Sequence, residues 1–285
     1  MKDQKTAPHG MRAMLNAVAA AVRLVAAEEI MPRYMKMVHQ HKSDGSLCTE
    51  ADLAAQAALV RKLQGILNVP VIGEEMSKPQ QAALWADGLQ TVWCIDPIDG
   101  TSNFVRGLPY FAVSVALIRG GKSELGVVYN PAADELFAAE RGRGAFLNSE
   151  KLVSLATVPS LSNALANVDL KRLDGKLSAQ LAANPPYSSQ RNFGASTLDW
   201  CYTAAGRYDV YLHGGQKLWD YAAGSLVLQE AGGYMCSLEA DDFAQGEVWQ
   251  RSVIAALDEK LFEQWKSWLR AQRLVTPAKQ GRQPT

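Results

Sequence analysis

Apolar and polar positions change period several times along the chain, and those changes predict its elements. Apolar residues recur at helical spacing over 11–38 (Met14, Leu15, Val18, Val22, Val25, Ala26, Ile30), predicting a helix that ends or bends near Pro32. A polar stretch holding His39 and His41 follows, then a turn over 42–52 in which Thr49 and Asp52 form an N-cap pair. They predict a second helix over 52–67. A short strand over 69–72, a linker over 82–90 and a buried apolar strand over 92–95 come next, the last closed by Asp96-Pro97. From Pro109 the period drops to two, predicting strands over 111–118, 124–129 and 135–139, with Arg119-Gly120-Gly121-Lys122 as a hairpin. Beyond Lys151 the pattern alternates: strands over 161–168, 187–192, 207–212 and 252–256, with helices over 170–183, 194–205, 219–231 and 258–269. Gly232-Gly233 closes the third of these helices. No repeats interrupt the order. The tail from Thr276 is rich in Lys, Gln, Pro and Gly and reads as disordered.

Composition narrows the class. A chain of 285 residues with 48% hydrophobic and 20% charged residues reads as a soluble globular protein near the upper size for one core. A formal net charge of zero gives no support to a nucleic-acid-binding stripe. The four cysteines (Cys48, Cys94, Cys201, Cys236) lack metal spacing and lie in apolar surroundings, as small hydrophobes in a reducing cytosol do. No apolar run reaches membrane-spanning length, and no signal peptide is expected, so a cytoplasmic location is expected.

The chemistry concentrates in Trp93-Cys94-Ile95-Asp96-Pro97-Ile98-Asp99-Gly100-Thr101-Ser102-Asn103-Phe104. Two carboxylates three positions apart leave a strand on a stiff turn, beside a hydroxyl and free backbone amides. Hard oxygen ligands suit Mg²⁺ and unpaired amides suit a phosphate. Asp-Pro and Asp-Gly are each ordinary turn dipeptides; the whole run is more particular. It resembles the signature of the inositol monophosphatase family of Mg²⁺-dependent, lithium-sensitive phosphatases. Gly73-Glu74-Glu75 matches that family's Gly-Glu-Glu, and Lys42, Thr49 and Asp52 match its lysine and Thr-x-x-Asp loop. Ser46 stands where many members carry an aspartate. Trp219-Asp220-x-Ala222-Ala223-Gly224 through Glu230-Ala231-Gly232-Gly233 matches the second signature, although an aspartate in a helix's first turn is also a common cap. Gly142-Arg143-Gly144-Ala145-Phe146-Leu147-Asn148 is similar to the run that closes the family's first half.

The resemblance implies an α+β fold, a layered α/β/α/β/α sandwich. It implies an N-terminal half over 1–150 with the metal motifs, a C-terminal α/β half over 151–272 with the substrate segment and Asp220, and a disordered tail over 273–285. Glu74, Asp96 and the Ile98 carbonyl are expected to hold one Mg²⁺, and Asp96, Asp99 and Asp220 a second; two or three ions are expected, with Mn²⁺ a substitute. If these carboxylates converge, each close pair costs roughly 4 kcal/mol at 4 Å and an effective dielectric of 20, which a divalent cation relieves. Thr101, hydrogen-bonded with Glu74, is expected to help deprotonate the attacking water, and the Gly100 and Thr101 amides to cradle the phosphate with Ser102.

Gly194-Ala195-Ser196 aligns with the family's substrate-binding Gly-Thr/Ser-Ala, and His213 stands where inositol phosphatases commonly place a glutamate. The expected reaction is hydrolysis of a small polyol or sugar phosphate, inositol monophosphate first. Histidinol phosphate, fructose 1,6-bisphosphate and phosphoadenosine phosphate stay open, the last disfavoured by Gly-Thr-Ser-Asn-Phe. A dehalogenase-type phosphatase needs Asp-x-Asp, whereas this chain has Asp-x-x-Asp. The resemblance also implies a homodimer, and some bacterial members bind the RNA-making machinery.

Overall fold

The structure, a computed structural model, describes residues 8–36, 40–41, 47–86, 91–153 and 159–274. Lys42, Ser46, His39 and the tail from Thr276 lie outside these residues. Helix α1 (Pro8–Val25) buries Leu15, Val18, Val22 and Val25, then loosens into a wider turn (Ala26–Ile30) and a tight one (Met31–Arg33). Pro32 has no amide to continue the ladder, so the helix ends near it, as expected. A short antiparallel pair, β1 (Gln40–His41) and β2 (Leu47–Cys48), leads to α2 (Glu50–Ile66). Its cap is the one expected: Thr49 Oγ1 accepts the Ala51 and Asp52 amides, and Asp52 Oδ2 accepts the Thr49 amide at 2.7 Å.

The next elements depart from the expected pattern in three places. Strand β3 (Val71–Gly73) is followed by helix α3 (Lys78–Ala86), where a linker was expected. Ala82, Ala83 and Leu84 are good helix formers, and Gln80 Oε1 accepts the Ser77 amide to start the helix. Strand β4 (Thr91–Asp99) does not end at Pro97 but runs through it. The ladder shifts register between Asp96 and Asp99, so the proline sits at an irregularity that needs no donor. A short helix, α4 (Thr101–Arg106), follows immediately between Gly100 and Gly107. Strands β5 (Ala112–Arg119), β6 (Lys122–Asn130), β7 (Glu135–Glu140), β8 (Gly144–Leu147) and β9 (Glu150–Lys151) complete a seven-stranded sheet in chain order β3 to β9. Arg119 pairs with Lys122 across Gly120-Gly121, the predicted hairpin. The period-two reading holds on both faces. Trp93, Ile95, Val113, Val115 and Val127 pack toward α1 and α2, whereas Val92, Cys94, Ala112, Ala116 and Val128 face inward.

The later elements are β10 (Leu165–Asp169), α5 (Gly175–Ala183), β11 (Ser189–Arg191), α6 (Ser196–Ala204), β12 (Val210–Gln216), α7 (Leu218–Glu230), β13 (Tyr234–Cys236), β14 (Arg251–Ala256) and α8 (Glu259–Leu274). Their strands form a second sheet in the order β11-β10-β12-β14-β13. The expected strand at 161 begins only at Leu165, after a tight turn at Leu161–Asn163. The expected helix over 170–183 breaks after Arg172, because Asp174 accepts the Lys176 and Leu177 amides and restarts it. Strand β12 starts later than expected and passes through His213 to Gln216, and β13 was not anticipated.

In this sheet Val210, Leu212, Ile254 and Ala256 face α5 and α8, while Tyr211, Val253 and Ala255 face inward. Helices α6 and α7 fill the space between the sheets. A Cβ on Gly224 would lie 2.5 Å from Trp200 Cβ, so only glycine permits this approach of α7 to α6. The architecture is therefore the expected α/β/α/β/α sandwich: α1 and α2, the large sheet, α6 and α7, the small sheet, α5 and α8.

Candidate active site

The ends of β3 and β4 and the first turns of α4, α6 and α7 meet in the middle of the sandwich. Parallel pairing sets Gly73 beside Ile95, and the Glu74 amide donates to Ile95 O at 3.3 Å, placing Glu74 next to Asp96. Gln81 Nε2 holds this turn through Gly73 O at 2.9 Å and Glu74 O at 3.3 Å. Asp96 is 1% exposed, and its Oδ1 accepts the Ile98 amide at 3.1 Å. Asp99 Oδ2 accepts both the amide and the hydroxyl of Thr197, each at 2.7 Å. Asp220 Oδ2 accepts the Lys217 amide at 2.8 Å, so it caps α7 while facing the other carboxylates. Gly100 has φ +85°, and a Cβ there would lie 3.0 Å from Tyr110 O and 3.1 Å from Ala195 Cβ. Glycine at this turn thus lets the Gly194-Ala195-Ser196 segment pack directly on the central motif. Asn103 Nδ2 pins the same segment, donating to Tyr110 O at 2.7 Å and Phe193 O at 2.5 Å.

The electrostatics follow from that crowding. Burial pushes the Asp96 carboxyl well above the usual carboxylate range, and Glu74, Asp99 and Asp220 push it further. Glu74 lies close enough to Asp96 to raise its carboxyl both by charge and by direct contact. Burial and then Asp99 likewise push Asp220 well up, against the Lys217 amide and the Arg172 charge. Asp99 rises to about 6 through burial, moderated by its two bonds from Thr197 and by the Gly100 amide. Asp52 also rises to about 6 through burial, with Glu75 and Glu74 adding to the effect. Among the described residues no three acidic, histidine or cysteine side chains are already drawn into a cage around one point. Glu74, Asp96, Asp99 and Asp220 nevertheless act on one another's charge, as groups in one neighbourhood do. Each of the three aspartates has an oxygen engaged by a protein donor. An all-oxygen donor set with this excess of negative charge fits a hard divalent cation.

The Thr101 hydroxyl donates to Ile98 O at 3.0 Å and lies 3.4 Å from Asp52 Oδ1; Asp52, where Glu74 was expected, is its carboxylate partner. Ala195 is fully buried against Gly100, whereas Ser196 is partly accessible. His213 is buried, and both ring nitrogens face protein: Nδ1 accepts the Gly215 amide at 3.1 Å, and Nε2 lies 3.6 Å from Asp169 Oδ2. This pattern assigns its proton to Nε2. Burial, then Arg172 and Lys171, lower its pKa to about 3, so the ring is neutral.

Three contributors were not singled out from the sequence. Thr197 and Asn103 are ordinary helix residues until the chain folds, and Asp199 reads as a first-turn acid. Asp199 is 3% exposed, is pushed up to about 8 by burial and accepts the Tyr110 hydroxyl at 2.8 Å.

Comparison with known proteins agrees with this architecture. Residues 11–272 match the model of the inositol monophosphatase family. A relative named Nus factor SuhB from Pseudomonas aeruginosa is 35% identical over 265 residues, covering 89% of this chain and 94% of that protein. An inositol-1-monophosphatase of Mesorhizobium japonicum is 34% identical over 233 residues, covering 77% and 86%. The solved Thermotoga maritima IMPase superposes with a TM-score of 0.77 at 26% identity, covering 92% of this chain and 98% of that one. An IMPase/NADP phosphatase solved with Mg²⁺ and phosphate shares the fold, with a TM-score of 0.75 at 22% identity, covering 89% and 93%. With its two signatures, its layered sheets and a match over nearly its whole length, the chain belongs to the inositol monophosphatase family.

Proposed function

We propose that the chain is a Mg²⁺-dependent phosphomonoesterase acting on a small polyol or sugar phosphate, with inositol monophosphate the first candidate. The observation that carries this reading is the convergence of buried carboxyls that raise one another's pKa at the ends of β3, β4 and the start of α7. Glu74, Asp96 and the Ile98 carbonyl would hold one ion, and Asp96, Asp99 and Asp220 a second; Mn²⁺ suits the same donors. Bound there, Mg²⁺ supplies charge neutralisation for the phosphate and an acidified water.

The chain's own residues do the rest. Thr101 Oγ1, its hydrogen turned from Ile98 O to Asp52 Oδ1 at 3.4 Å, accepts a proton from the attacking water as its own passes to that carboxylate. A carboxylate with a pKa of about 6 is ionised at neutral pH and still basic enough for this transfer. The amides of Gly100 and Thr101, with Ser102, orient the phosphate. Gly194, Ala195 and Ser196 shape the alcohol side, Ser196 offering its hydroxyl. His213, with both nitrogens turned to protein, contributes a neutral wall to that side, unlike a glutamate. Family resemblance supports a homodimer and inhibition by lithium.

Purified protein assayed for phosphate release from inositol 1-phosphate, histidinol phosphate, fructose 1,6-bisphosphate and phosphoadenosine phosphate tests the reading. We expect Mg²⁺-dependent release, abolished by chelator and fastest with inositol 1-phosphate. No release from any of the four contradicts it. The Pseudomonas relative's name supports a second reading, binding to the transcription machinery. Capture of RNA polymerase components by a chain lacking metal-dependent turnover would favour that one.

A further inference from the structure

We infer that Thr197 is a positioning residue for the metal site, fixing the Asp99 carboxylate from the helix that carries the substrate segment; this rests on the proposed reading of Asp99 as a ligand. The side chain of Thr197 is fully buried, and a buried hydroxyl requires a partner. Its partner is Asp99 Oδ2, at 2.7 Å, and the amide of the same residue reaches the same oxygen at 2.7 Å. Two donors of fixed geometry on one oxygen set the plane of the carboxylate. A ligand oriented in this way loses less freedom when a cation binds.

The arrangement also joins two parts of the site. Ala195, the residue before α6, offers no side-chain cap, so Asp99 from β4 accepts the helix's early amide in its place. Gly194-Ala195-Ser196 immediately precedes Thr197, and Ala195 already packs on Gly100. The hydroxyl adds to this docking a bond that an alanine or valine cannot make. A structural role alone, as part of the α6 cap, predicts loss of thermal stability without loss of metal affinity. A positioning role predicts loss of metal affinity.

Calorimetric titration of the full chain with Mn²⁺ separates them, alongside melting of the metal-free proteins. For Thr197→Val, which keeps the volume and the amide bond, we expect the Mn²⁺ Kd to rise about 10- to 100-fold, as when groups behind a ligand are removed. Thr197→Ser restores the hydroxyl and is expected within about threefold of the unsubstituted chain, since the same oxygen can again bond Asp99. Should Thr197→Val fail to fold, Thr197→Ala is measured in its place with the same expectation. A Mn²⁺ Kd unchanged in the hydroxyl-less variant, with only its melting temperature lowered, overturns the inference and leaves the proposed function standing. An unsubstituted chain that binds no Mn²⁺ overturns the proposed function and this inference together.

Discussion

Asp96 and Asp199 are both aspartates buried in the middle of the sandwich with carboxyls displaced upward, yet they ask for different things. Asp199 owes its pKa of about 8 chiefly to burial, and the Tyr110 hydroxyl donates to it. One proton removes its charge, and at neutral pH it is satisfied as an acid. Asp96 meets burial and three further carboxylates at once. A single proton relieves one such contact and leaves the others, since Glu74, Asp99 and Asp220 all press on Asp96. Burial alone makes a neutral acid; burial with convergence makes a place for a divalent cation. Asp52 lies between these cases, capped by Thr49 on one oxygen and reaching Thr101 with the other.

Substitutions sharpen that contrast, the largest effect first. Asp96→Asn is expected to lower Mg²⁺-dependent phosphate release by well over 100-fold, since even groups behind a metal ligand cost about 10- to 100-fold. Asp199→Asn, which keeps an acceptor for Tyr110, should leave release nearly unchanged. Equal losses in the two variants would erase the distinction.

Next in size is the response to metal. At a Mg²⁺ concentration about 100-fold above Kd, binding adds about 2.7 kcal/mol. For a chain of this size that raises the melting temperature by roughly 5 to 10 °C. Scanning fluorimetry at pH 7.5 should show this rise in the unsubstituted chain and in Asp199→Asn, and none in Asp96→Asn.

The pH dependence follows from the sign of the shifts. Asp99 is raised from 3.8 to about 6, so the folded metal-free chain retains a proton that the unfolded chain has released. Its contribution to stability is present below 3.8 and is lost as pH rises through about 6. A cation must displace that proton, so metal binding tightens over the same interval, by up to about tenfold per pH unit per proton displaced. Calorimetry in buffers of different ionisation enthalpy at pH 6 should report proton release. Asp199 is raised from 3.8 to about 8, so its contribution is lost as pH rises from about 3.8 through about 8, a loss the Asn variant does not share. Asp199→Asn should therefore gain melting temperature relative to the unsubstituted chain between pH 6 and pH 9.

Much of the fold was legible because its strands alternate strictly. Trp93 and Ile95 turn one way and Val92 and Cys94 the other, and Tyr211 opposes Leu212 in the same manner. What escaped depends on partners distant in the chain. Pro97 looked like the end of a strand because its irregularity exists only against β5, where Asp96 pairs with Ser114 and Asp99 with Ala112. The break at Asp174 was a local capping signal read instead as helix interior. Thr101 was assigned to Glu74, whereas its carboxylate partner Asp52 comes from α2, 49 residues earlier. Thr197 could not be tied to Asp99, 98 residues away, by any spacing rule. The grouping of Glu74, Asp96, Asp99 and Asp220 is an expectation drawn from Gly73-Glu74-Glu75 and the two family signatures, because family motifs carry the result of folding and periodicity does not.

Anomalous diffraction from a crystal of the full chain soaked in Mn²⁺ shows whether these carboxylates form a cation site. Manganese density bounded by Glu74, Asp96, the Ile98 carbonyl, Asp99 and Asp220 is expected. A crystal in which the metal binds elsewhere, with these side chains turned away from one another, contradicts it.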